Sequence, residues 1–151
     1  MKTLITRSPE ETIEKAALVA GRLKAGDLVA LIGELGTGKT QFVKGLAKGF
    51  GLKGYLYVNS PSFVVMKEYH ASVDLYHFDV YRLEEGSFCD TLDYKTYFYG
   101  EGVSVVEWAD KIRALLPEEY LEVRISHTQE EERRFEFLPK GERFEKVLEV
   151  L

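Results

Sequence analysis

One octapeptide constrains this chain more than any other feature: Gly33-Glu34-Leu35-Gly36-Thr37-Gly38-Lys39-Thr40 fits the pattern G-x-x-x-x-G-K-[ST]. It directly follows Asp27 to Ile32 (DLVALI), an apolar run after Ala25-Gly26 that reads as a strand buried on both faces. It also opens a helix whose spacing carries it to about Gly51. Strand, glycine-rich loop and helix in that order form a phosphate cradle. The glycines let the backbone curl so that successive N–H groups point at an anion, and the helix adds its positive N-terminal end. In this pattern Lys39 reaches β- and γ-phosphates and the Thr40 hydroxyl holds Mg²⁺. Glu34, Leu35, Gly36, Thr37, Gly38, Lys39, Thr40 and Gln41 are therefore the candidate nucleotide-binding stretch.

Around the loop, periodicity predicts an α/β protein. Lys2 to Thr6 reads as a short strand, and Ser8, Pro9 and Glu11 make the N-cap, first helical position and capping-box partner of a helix of about four turns. Tyr55 to Val58, Phe63 to Tyr69 and Ser72 to Tyr81 read as strands from their aromatic and β-branched content. One or two short helices are expected around Phe88 to Tyr97, then a buried strand Val103 to Val106 ending in Glu107-Trp108, then a helix to about Leu116 stopped by Pro117. Tyr120 to Ser126 and Arg133 to Leu138 read as a hairpin, and Phe144 to Leu151 as a closing helix. Buried strands interleaved with helices predict a largely parallel central sheet with antiparallel edge strands and flanking helices, a P-loop NTPase fold. A chain of 151 residues without internal repeats or a low-complexity linker reads as a single domain, 1–151.

A phosphate loop needs a carboxylate at the end of a buried strand for the metal or its water. Glu107 follows Val103-Ser104-Val105-Val106, and Asp79 ends Leu75-Tyr76-His77-Phe78, so both are candidates. Asn59 is the only Asn and no Thr-Lys pair exists, so the Asn/Thr-Lys-x-Asp element that reads guanine is missing and ATP is favoured over GTP. A small-molecule kinase acting alone is the alternative, but such enzymes carry an arginine-rich lid, and the only adjacent arginines, Arg133 and Arg134, lie in a predicted strand. A lone Cys89 without a Cys/His cluster excludes a disulfide framework and a structural zinc site, and fits a reducing cytoplasm. No run approaches the ~18 apolar residues of a membrane span.

Beyond the loop, Ser8 to Thr12 (SPEET), Ser60-Pro61-Ser62-Phe63, His77-Phe78-Asp79-Val80-Tyr81-Arg82-Leu83, Val106-Glu107-Trp108-Ala109 and Leu116-Pro117 occur in a fixed order. This ordered set resembles the TsaE family of ATPases of bacterial tRNA threonylcarbamoyladenosine synthesis, over most of the chain. The resemblance implies a protein that binds and hydrolyses ATP with Mg²⁺, slowly when alone, and works with two partners, TsaB and TsaD. TsaD transfers the threonylcarbamoyl group to adenosine 37 of tRNAs that read ANN codons, and the ATPase resets the assembly between turnovers. It further implies that Thr40 and Glu107 are metal-site residues, that Asp79 is needed for hydrolysis, and that Ser60 to Phe63 is a switch near the γ-phosphate. Thr6 and Arg133 are implied in nucleotide binding. Family members commonly carry Ser-Pro-Thr at the switch, whereas Ser62 here keeps the hydroxyl and lacks the methyl.

Other polar residues have plainer readings. Trp108 is expected either beside the nucleotide or packed against the sheet; His77 and Asp79, two apart on a strand, share a face; His70 and His127 have no partner by spacing. Glu130 to Arg134 reads as a solvated turn. Acidic residues outnumber basic ones, for a net charge of −5, which disfavours direct gripping of a phosphate backbone. Yet Leu35 to Met66 holds four lysines and no acid, a local +4 that leaves −9 on the remainder. Contact with tRNA is therefore expected to be indirect, through partners.

Overall fold

In the computed structural model, which describes residues Met1–Leu151, the chain runs β1 (Lys2–Thr6), α1 (Pro9–Ala20), β2 (Leu28–Ile32), α2 (Lys39–Gly49), β3 (Met66–Tyr69), β4 (Leu75–Asp79), α3 (Glu85–Thr91), α4 (Tyr94–Phe98), β5 (Val103–Glu107), β6 (Tyr120–His127), β7 (Arg133–Lys140) and α5 (Glu142–Val147). All seven strands join one sheet in the order β1-β7-β6-β2-β5-β4-β3. The four central strands β6, β2, β5 and β4 are mutually parallel, while β1, β7 and β3 pair antiparallel at the two edges. This is the P-loop NTPase arrangement, with β2 feeding the glycine-rich loop from the middle of the sheet.

Alternation along the central strands sorts their side chains into two cores. Val29 and Leu31 of β2 join Val105, Val123 and Phe137 against α1, α2 and α5, while Leu28 and Ala30 join Phe78 and Val106 against α3 and α4 through Phe88 and Phe98. A strand covered on both faces has no polar side to present, which is why DLVALI lacks alternation. Helices α1 and α2 approach closely at Gly45, where a Cβ would stand 2.4 Å from the Ala16 Cβ and 2.5 Å from the Ile13 carbonyl oxygen. That contact holds α2, and so the loop that precedes it, against the first helix. No helix is long and apolar enough to cross a membrane.

Ser8 caps α1 by accepting from the Glu11 N–H at 3.1 Å, and the Glu11 carboxylate reaches back to the Arg7 N–H at 2.8 Å, one residue before the cap. Three expected strands and one helix differ from expectation; the strand expected from Ser72 to Tyr81 spans only Leu75–Asp79. Tyr55–Tyr57 is a single 3₁₀ turn, with Tyr57 88% exposed, because no strand lies beside it to receive its backbone bonds. The strand expected from Phe63 begins only at Met66, since Val65 takes a left-handed φ of 70° and its N–H closes a turn onto the Pro61 carbonyl at 2.6 Å. Ala109–Leu115 is 3₁₀ rather than α: it is bounded by left-handed Trp108 and by Pro117, and Ile112 departs to φ −126° with its side chain fully buried. His70, expected alone, lies 3.4 Å from Asp74 across the β3–β4 turn.

Candidate functional site

A cleft of about 600 Å³ opens where the C-terminal ends of β2, β4 and β5 meet the N-terminus of α2. Crevices at the carboxyl ends of parallel strands are where open α/β sheets bind ligands. The loop reaches the helix through Gly36 at φ 76° and Gly38 at φ 105°, backbone conformations that L side chains rarely adopt. A Cβ at either position would meet nothing within 4 Å, so the requirement is for the dihedral angle and not for space. Thr37 is buried and ties the loop to itself, its hydroxyl donating to the Glu34 carbonyl at 2.9 Å.

Lys39 is 5% exposed, and its ammonium donates to the Gly33 and Glu34 carbonyls at 2.6 and 2.7 Å while standing 4.2 Å over the Trp108 ring. Burial pulls its pKa below the ordinary lysine range, an effect that the carboxylates of Glu107, Asp79, Glu34 and Asp110 oppose. Trp108 is half-buried and packs on Tyr81 with ring centroids 4.8 Å apart, so it both lines the cleft and rests on the fold.

Asp79 and Glu107 face each other in register on β4 and β5, 4% and 2% exposed. The Thr40 hydroxyl lies 2.6 Å from that of Ser60, and both approach Glu107, Thr40 at 3.4 Å from Oε1 and Ser60 at 3.0 Å from Oε2. On its other side Glu107 Oε2 meets His77 Nε2 at 2.5 Å. Asp79 accepts from the Tyr81 N–H at 2.9 Å, and burial raises its pKa above the usual carboxylate range despite that bond. Thr40, Ser60, Asp79 and Glu107 thus offer only hydroxyl and carboxylate oxygens, the donor set that suits a hard divalent cation such as Mg²⁺.

Of the residues expected from sequence, Leu35, Gly36, Gly38, Lys39, Thr40, Gln41, Ser62, Asp79, Glu107, Trp108 and Arg133 line the cleft. Glu34 and Thr37 belong to the loop without lining it. Thr6 is fully buried behind the wall, with its hydroxyl 2.7 Å from that of Thr12, which does line the cleft. Arg133 donates to the Glu130 and Glu132 carbonyls from the β6–β7 turn. The sequence singled out Ser62 and not Ser60 for nucleotide binding, yet it is the Ser60 hydroxyl that reaches Thr40 and Glu107; Arg82, which lines the cleft and stands 4.3 Å over the Phe63 ring, was not singled out at all. The signal for Ser60 was its place in Ser-Pro-Ser; nothing local distinguishes its hydroxyl from that of Ser62.

The family model described as "Threonylcarbamoyl adenosine biosynthesis protein TsaE" matches residues 6–135. A protein of Bacillus subtilis named tRNA threonylcarbamoyladenosine biosynthesis protein TsaE is 45% identical over 147 residues, covering 97% of this chain and 90% of its own. Its namesake from Treponema pallidum is 39% identical over 114 residues, 76% of this chain and 83% of its own. The crystal structure of Bacillus subtilis YdiB superimposes with a TM-score of 0.82 at 39% identity, covering 98% of this chain and 91% of that one. With a family match from β1 into β7 and a fold shared nearly end to end, the chain belongs to the TsaE family.

Proposed function

We propose that this chain is a Mg²⁺-dependent ATP-binding and ATP-hydrolysing subunit of the machinery that makes threonylcarbamoyladenosine at adenosine 37 of tRNAs reading ANN codons. In this reading it acts with TsaB and TsaD, leaves the group transfer to TsaD, and resets the complex between turnovers. The observation that carries it is the convergence of Lys39, Thr40, Asp79 and Glu107 on one cleft at the end of the parallel sheet. The loop N–H groups and Lys39 bind the phosphates, and Thr40 and Glu107 hold Mg²⁺, which supplies neutralisation of phosphate charge. Asp79, with its raised proton affinity, orients the attacking water and receives its proton.

The rim supports a partner-dependent role. Leu35, Tyr57, Phe63 and Val64 are all more than half exposed, on the loop and on the segment leading to β3. The net charge of −5 suits a subunit whose partners hold the tRNA. The test is ATP turnover measured with and without purified TsaB and TsaD, in Mg²⁺ and in EDTA. Turnover that rises with the partners and vanishes in EDTA supports the reading. Turnover indifferent to the partners, with phosphate passed to an added metabolite, replaces it with the small-molecule kinase.

A further inference from the structure

His77 is the one fully buried imidazole, on a strand whose every residue is buried. Register pairs it with Val105 and pairs Asp79 with Glu107, so its ring reaches diagonally along the shared face to the carboxylate two residues further on β5. A carboxylate only accepts, so the 2.5 Å contact with Glu107 Oε2 fixes the proton on Nε2. The opposite nitrogen, Nδ1, is buried with no hydrogen-bond partner. Packing alone does not account for such a residue, because an apolar side chain would fill the same volume without leaving a polar atom unpaired. What the ring gains is a single bond, and that bond goes to Glu107.

The two oxygens of Glu107 are consequently unequal. Oε2 is held by His77 at 2.5 Å and by Ser60 at 3.0 Å, whereas Oε1 has only longer approaches from Ser60 at 3.3 Å and Thr40 at 3.4 Å. Pinning one oxygen sets the rotation of the carboxyl group and turns the other toward Thr40. Partners of this kind, lying behind a metal ligand, typically alter metal affinity by 10–100-fold when removed.

We propose that His77 is a positioning residue of the cation site, pinning Glu107 Oε2 through Nε2–H so that Oε1 faces Thr40 for a divalent ion. The proposal rests on the reading of Thr40 and Glu107 as the metal side of the cleft. It concerns where the proton donor stands, so variants that move or remove the donor discriminate it. Gln places its amide nitrogen near the position of Nε2, Asn places its amide near Nδ1 and short of Glu107, and Leu has no donor at all.

The experiment is Mn²⁺ binding to the full chain in the presence of ADP, followed by electron paramagnetic resonance, with ADP affinity in EDTA measured alongside. His77→Leu and His77→Asn are expected to weaken Mn²⁺ binding by about 10-fold or more. His77→Gln should stay within about threefold of the unmodified chain, and ADP affinity in EDTA should be unchanged in all three. Should His77→Leu fail to fold, the contrast between Asn and Gln decides the matter. Equal Mn²⁺ affinity across Asn, Gln and His overturns the positioning role. Glu107→Ala separates this from the parent reading: if it also leaves Mn²⁺ affinity intact, the assignment of Glu107 to the metal fails; if it abolishes binding while the His77 variants do not, only the positioning role fails.

Discussion

Asp79 and Glu107 are cross-strand partners at the ends of adjacent parallel strands, two nearly buried carboxyls in one register position. They are not equivalent. Glu107 is surrounded by the hydroxyls of Thr40 and Ser60 and the ring of His77, while Asp79 has one backbone N–H. Burial therefore raises the proton affinity of Asp79, and its ionised form is held against the interests of stability.

A carboxyl whose folded pKa lies above its unfolded value adds nothing below about pH 3.9, where both states are protonated, and destabilises the fold increasingly as pH rises through the folded pKa. Asp79→Asn, which can still accept from the Tyr81 N–H, should raise the melting temperature at pH 7, and the difference should close as pH falls toward 4. The same variant should lower ATP turnover by about 100-fold or more, the scale of a lost proton acceptor. Thermal melts at several pH values, paired with turnover, check both halves.

Ser60 bridges the two expected metal-side groups, its hydroxyl 2.6 Å from Thr40 and 3.0 Å from Glu107. Ser60→Ala should lower kcat by about 10-fold, the scale of one hydrogen bond to a charged group, and leave KM for ATP nearly unchanged. Steady-state kinetics in the presence of TsaB and TsaD give the split, and an unaltered kcat would reduce the bridge to a structural bond.

Gly45 tests how the loop is held. Adding a methyl group 2.4 Å from the Ala16 Cβ forces α1 and α2 apart, so Gly45→Ala should cost about 1–3 kcal/mol despite the better helix propensity of alanine. Denaturant melts measure the loss. A neutral or stabilising outcome would mean that the helices part without cost.

The central strands and the loop were legible because their signals are local: DLVALI has no polar face, and GELGTGKT carries its own dihedral demands at Gly36 and Gly38. Both strand-end acids were legible for the same reason, each closing an apolar run. The segment from Tyr55 to Val65 was not, since β propensity cannot report that no neighbouring strand exists or that Val65 turns back onto Pro61. Glu122 on β6 was equally hidden: it is fully buried between Arg113 and Arg124 at 2.7 Å each, and Arg113 comes from the 3₁₀ segment that had been expected as regular helix. The bond between His77 and Glu107 needs the β4–β5 register, which no single strand contains.

If the cleft drives tRNA modification, disabling Glu107 must show in the tRNA of the cell. The measurement is the threonylcarbamoyladenosine content of tRNA from cells in which this chain is replaced by Glu107→Ala, with the protein level confirmed equal to that of the unmodified chain. The modified nucleoside is expected to fall and unmodified adenosine to appear in its place. Full modification sustained by the variant, with no other ATPase standing in, would mean that the Glu107 cleft does not drive it.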